Sequence, residues 1–207
     1  FISENIKNQN ITKIENYYKE ISLHQTLIGV LFYLLVIINL DHIFNLIPNS
    51  ESFISGKDVV YVIGFCKLII MFFSFNSEII SLSKYYRFTV ITIIILAIIS
   101  IALNLILIPI YGMIGAAFAS LVSILIFNVV KHIFIKIKMK ISPFSINTFK
   151  VILIGIILFA VDYYLIPDLS NDFLSILFKS AVTSVAYFSV IYLLKISPKL
   201  NGMIKSC

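Results

Sequence analysis

Lys67 is the residue best placed to do chemistry, because it puts a positive charge inside an apolar run at 59–77. A cation in hydrocarbon is costly, so it faces a partner or a water-filled cleft. At helical spacing Gly64, Lys67, Met71, Ser74 and Glu78 share one stripe. Two roles are open to Lys67. It offers its charge to an anionic substrate such as a diphosphate, or it pairs with a carboxylate from another helix or snorkels to a boundary. Lys179 lies a turn or two from the end of the last apolar run, where snorkelling accounts for it. Asn104 shares its run with Thr92 and Ser100 and precedes Pro109 by about one turn. Its amide is placed to bond backbone groups freed by the proline, or a neighbouring helix. Lys67, Ser74 and Asn104 are the candidate substrate-binding residues.

Other chemistries lack their residues. There is no phosphate-binding glycine loop, nucleophile elbow or paired acidic motif at an interface. No catalytic residue is expected. His24, His42 and His132 are far apart, and Cys66 and Cys207 share no ligand spacing with them. No metal, cofactor or disulfide framework is expected. Asp41 and His42 are adjacent and read as an interface cap.

The elements that must position these residues are apolar helices. Of the 207 residues, 60% are hydrophobic and 13% charged, and mean hydropathy is +1.04. A soluble domain is about half apolar and about a quarter charged. The excess comes in runs near the length that crosses a hydrocarbon core of about 30 Å. Six spans are expected, at 23–40, 59–77, 88–108, 113–131, 148–166 and 173–194. The third and fourth are joined only by residues 109–112, which predicts a tight helical hairpin. A β-barrel would alternate apolar and polar residues over about ten positions, and this chain does not.

Charge sets the orientation. Thirteen of the sixteen basic residues fall at 1–22, 78–88, 131–150 and 195–207, one side of a six-span arrangement. Lys131, Lys136, Lys138, Lys140 and Lys150 form the largest group. The other side holds Lys57 with Asp41, Glu51, Asp58, Asp162, Asp168 and Asp172. Cationic loops stay cytoplasmic, so both termini are expected in the cytoplasm. The net charge of +6 is therefore topological, and nucleic acid is not the expected partner. Three regions follow: a cytoplasmic amphipathic lead-in at 1–22, a four-span membrane domain at 23–136, and two further spans with a tail at 137–207. The chain begins with Phe1 and shows no apolar signal core, so it is expected to start inside a longer protein.

One stretch carries a family pattern. Asn104, a short aliphatic run, Ile108-Pro109, Tyr111-Gly112, two aliphatics, then Gly115-Ala116-Ala117-Phe118-Ala119-Ser120 resembles the hairpin of polysaccharide-biosynthesis and O-antigen flippases. Residues 47–49 with 59–64, and residues 76–87, resemble the same proteins, so the likeness covers most of 20–150. Within the hairpin, Gly112, Ala116 and Ser120 lie on one ridge, and Gly115, Ala119 and Ser123 on the next, letting backbones approach.

These proteins belong to the multidrug, oligosaccharidyl-lipid and polysaccharide exporter superfamily. The resemblance implies a parent of about twelve to fourteen spans in two lobes around an alternating-access cavity. This chain would be the C-terminal half in the bacterial inner membrane, completed by a missing N-terminal lobe, and half a cavity is not expected to transport. The implied cargo is an undecaprenyl-diphosphate-linked oligosaccharide for O-antigen, capsule or exopolysaccharide. A cation-coupled drug exporter of the same superfamily, and a polytopic polymerase or acyltransferase acting on lipid-linked glycans, are the alternatives.

Overall fold

The computed structural model describes residues 10–48, 54 and 56–197. Lys7, Asn49, Glu51, Lys199, Lys205 and Cys207 lie outside the described residues. Within them the chain is all-helical: α1 (Ile11–Ile38), α2 (Leu40–Asn45), α3 (Gly56–Phe72), α4 (Asn76–Ser81), α5 (Tyr86–Lys138), α6 (Ile146–Leu165) and α7 (Asp172–Leu193). Four helices, α1, α5, α6 and α7, are long and apolar enough to cross a membrane. α3 has 17 residues, the lower limit of about 17 for a span.

The chain forms two compact units, one from residues 1–25 and 58–144, the other from 26–57 and 145–207.

In the first unit, Ile14, Tyr18 and Ser22 recur at every fourth position of α1 and are buried. Glu15 and Lys19 pair at 2.7 Å, one turn apart. Within the lead-in, the helix begins at Ile11 with this i, i+4 pattern. Ile14 and Tyr18 pack against Ile79 and Ile80 of α4, Ile135 of α5, and Ile141, with Phe75, Tyr85, Phe88 and Phe134 around them. Ser22 donates to the carbonyl of Phe72 at 2.9 Å. That bond satisfies an orphan acceptor at the end of α3.

α5 is 53 residues long, or about 80 Å if it were straight. It is not straight. Pro109 removes the N–H that would bond the Leu105 carbonyl. Gly112 then adopts φ 60° and ψ −134°, which is non-helical. A side chain there is strained even though nothing lies within 4 Å of the position. Beyond this break the chain runs back along itself. A Cβ on Gly115 would sit 2.2 Å from the Leu107 carbonyl oxygen. Ile99 and Ser123, then Thr92 and Val130, line one narrow apolar cleft. Phe88 stacks on Phe134 at 3.8 Å. Gly115 against Leu107 and Phe88 against Phe134 both centre on residue 111, the signature of an antiparallel hairpin.

The hairpin uses one of its two small-residue ridges. Gly115, Ala119 and Ser123 are all buried, whereas Gly112 is exposed and Ala116 and Ser120 are half-buried. The outer face of the first arm, from Val90 to Ile110, exposes one large aliphatic after another. Only 6% of its most apolar window is buried. Such a surface is too continuous for water and fits lipid.

In the second unit, Ser145 caps α6 by accepting from the Thr148 N–H at 3.2 Å. Asn171 caps α7 by accepting from Phe173 and Leu174. Gly155 of α6 faces Val30 so closely that a Cβ would lie 2.5 Å from Val30 Cγ1. Tyr187 of α7 donates to the Leu27 carbonyl at 2.8 Å. α7 closes with Lys195 N–H bonded to Tyr192 and Ile196 N–H bonded to Ile191. This is a Schellman motif, and it holds Lys195 at φ 48°.

Candidate functional site

The expected substrate-binding residues lie on different elements, Lys67 on α3, Ser74 in the turn after it and Asn104 on α5. α3 ends at Phe72, so Ser74 sits in a turn and Glu78 in the separate helix α4. The stripe of five therefore keeps only Gly64, Lys67 and Met71 on one helix. The early end of α3 also moves Lys67 from mid-span to five residues, about 8 Å, from a helix terminus. Lys67 is exposed and forms no ion pair among the described residues. The Ser74 hydroxyl is buried without a hydrogen-bond partner. Asn104 donates to the Ser100 carbonyl at 2.8 Å, one turn back in its own arm. It does not reach the Leu105 carbonyl that Pro109 frees. Pro109, Gly112, Gly115 and Ala119 serve the hairpin.

The structure instead assembles two polar sites that local sequence did not announce. The first lies in the second unit. His42 of α2 stands between two carboxylates: Nδ1 is 2.6 Å from Asp172 Oδ1 and Nε2 is 3.0 Å from Asp168 Oδ1. A neutral imidazole donates from one nitrogen only, so this geometry calls for the doubly protonated ring. Burial alone would lower the His42 pKa; the bonds to Asp172 and Asp168 outweigh it and raise it above 6.5. The bonds from Lys179 and His42 hold the Asp168 carboxyl below its ordinary 3.8.

Lys179 of α7 links this pair to the helix interior. Its Nζ is 2.6 Å from Asp168 Oδ1 and 3.6 Å from Asp162 Oδ2. Asp162 is 3% exposed and Lys179 7% exposed. At 3.6 Å the Lys179–Asp162 contact is an ion pair without a hydrogen bond. The other oxygen, Asp162 Oδ1, is buried with no partner. Asp162 is thus not a loop acid, as the charge pattern implied, but a buried carboxylate in the last turn of α6. Lys179 does not simply snorkel; it has two acidic partners.

No family model, curated protein or solved structure matches this chain. Its chemistry must be read from its own geometry.

The second site is in the first unit. Lys131 was counted among the cytoplasmic loop charges, but it lies within α5 and is 0% exposed. Its Nζ donates to Ser77 Oγ at 2.8 Å and rests 3.8 Å from the centre of the Phe127 ring. Beside it Tyr18 bonds the Asn76 side chain, and Asn76 donates to the Asn128 carbonyl at 3.3 Å. A fully buried ammonium with one hydroxyl partner has unused donor capacity. The available signal was helical phase: Lys131 falls on the Asn128–Ile135 face, and both flanking residues are buried.

Proposed function

We propose that this chain is a six-span part of a bacterial inner-membrane flippase for undecaprenyl-diphosphate-linked oligosaccharide, with both ends in the cytoplasm. One observation carries the reading, the ordered pattern from Asn104 to Ser120 and its resemblance to polysaccharide-biosynthesis flippases. The geometry of the hairpin supports it, since Gly112 makes the reversal and Gly115 the backbone contact. A sugar diphosphate cannot cross hydrocarbon unaided, because its charges lose their hydration. Cations along the path offset that loss, and Lys67, exposed near the end of α3, is the candidate from this chain. The test is deletion of the gene in its host. Lipid-linked oligosaccharide should accumulate on the cytoplasmic side, the native gene should clear it, and the Lys67→Ala gene should clear it poorly. Unchanged surface polysaccharide after deletion rejects the flippase reading.

A second reading is favoured by Asp162. A cation-coupled exporter of the same superfamily needs an intramembrane acid, and Asp162 is buried with one oxygen unpartnered. Export that stops with Asp162→Asn and depends on a proton or sodium gradient, with lipid-linked sugars unaffected, selects this reading over the first.

A further inference from the structure

Lys84, Lys138 and Lys140 converge on one concavity of about 500 Å³ in the first unit. Lys84 lies in the turn between α4 and α5, Lys138 is the last residue of α5, and Lys140 follows it in a left-handed conformation at φ 58°. The rest of the lining is Ile11, Ile14, Ser83, Tyr85, Met139 and Ile141, with no carboxylate among them. Ile14 and Ile141 are buried core residues and make an apolar floor. Lys84 Nζ stays 5.2 Å from the Tyr85 ring centre. None of the three lysines makes an ion pair among the described residues. The nearest acid on α1, Glu15, is held by Lys19 at 2.7 Å.

Depth argues for the class of ligand. The cavity lies at the open end of the hairpin, 26 residues from Gly112 along the returning arm, or about 39 Å. A bilayer is about 30 Å thick in hydrocarbon and about 40–45 Å with its headgroups. With the apex at one face, the three ammonium groups stand at headgroup level on the other. Three cations above an aliphatic floor match an amphiphile with a phosphate head and acyl chains.

We propose that this cavity binds the phosphodiester headgroup of an anionic phospholipid, with Lys84, Lys138 and Lys140 as its ligands. The site is separate from any transported cargo, and it needs only that the chain be membrane-embedded. The probe is phosphatidylglycerol, titrated into the purified full chain in neutral detergent, with lipid retention read by native mass spectrometry. Phosphatidylglycerol should be retained in preference to phosphatidylcholine. A basic residue near an anionic surface contributes about five-fold in affinity, so each single Lys→Gln change should weaken retention about five-fold and all three together about a hundred-fold. Lys150→Gln, a charge control outside the cavity, should have no effect. Equal retention of the two lipids, or an unchanged triple variant, overturns the proposal. Displacement by inorganic phosphate at the concentration of the lipid would mark a free-phosphate site and overturn the lipid assignment. If the triple variant misfolds, the single variants and the two-lipid comparison still decide. Phosphatidylglycerol carries no sugar, so this outcome is independent of the transport assay.

Discussion

At the residue scale the strongest constraints are charges that must be satisfied together. His42 needs its second proton because carboxylates face both ring nitrogens. Its pKa is raised above 6.5, so its contribution is full below 6.5 and is lost as pH rises through the folded value. Asp168 is depressed below 3.8, so its contribution is full above 3.8 and is lost as pH falls through the folded value. The network is therefore tightest between about pH 4 and pH 6.5. Thermal stability in detergent should fall on the alkaline side of that window, and His42→Gln should flatten the fall while lowering stability by about 1 kcal/mol. A native protein with no alkaline decline would contradict this account. Asp162 and Lys179 make a second test. Removing Lys179 strands the buried Asp162 carboxylate at a cost of about 3–5 kcal/mol, whereas removing Asp162 leaves Lys179 with Asp168 at 2.6 Å. Lys179→Met should therefore cost more than either Asp162→Asn or the double change, and additive costs in a double-mutant cycle would argue against coupling. Little of this was legible, because the partners of His42 are 126 and 130 residues away. Lys179 was visible as an intramembrane charge, and an acid on the preceding helix at the same end was the clue to its partner.

At the element scale, legibility depended on whether the signal was local. Pro109 and Gly112 act on their own backbone, so the hairpin could be read directly. α6 and α7 begin within two residues of expectation because Ser145 and Asn171 cap them. The end of α3 could not be read. At that end the Phe72 carbonyl accepts from the Ser22 hydroxyl, 50 residues earlier in the chain, a contact that no local pattern reports. The six-residue helix α4 starts at the end of the apolar run 59–77 and continues into the stretch expected to be the 78–88 loop. The hairpin gives sharp predictions. Gly115→Ala drives a methyl group into the Leu107 carbonyl, and Gly112→Ala forces a side chain into a glycine conformation. Each should cost about 1–3 kcal/mol. Lys195→Gly runs the other way. It relieves a left-handed lysine at a Schellman position where glycine is favoured, and should stabilise by up to about 1 kcal/mol. Chemical denaturation in mixed micelles reads all three, and a destabilising Lys195→Gly would mean that its side chain matters more than its backbone.

At the scale of the whole molecule, α3 decides the topology. α1, α6, α7 and the two arms of α5 supply five passes if each arm crosses. An even count then requires α3, whose 17 residues measure about 26 Å, just short of the hydrocarbon core. Lys57 near its start and Lys67 near its end favour crossing, since both can reach headgroups from a slightly short helix. Cysteine labelling separates the cases. In a background carrying Cys66→Ser and Cys207→Ser, Ile54→Cys and Leu82→Cys flank α3 at exposed positions. If α3 crosses, an impermeant maleimide added to intact cells should label Ile54→Cys, and should label Leu82→Cys only after lysis. Labelling of both from the same side would leave α3 on the membrane surface and give an odd number of crossings. The basic loops at 78–88 and 131–150 would still share a side, because the hairpin returns the chain to the face it left. The two ends of the chain would then lie on opposite faces, and the case for a flippase half with both ends in the cytoplasm would fall with the span.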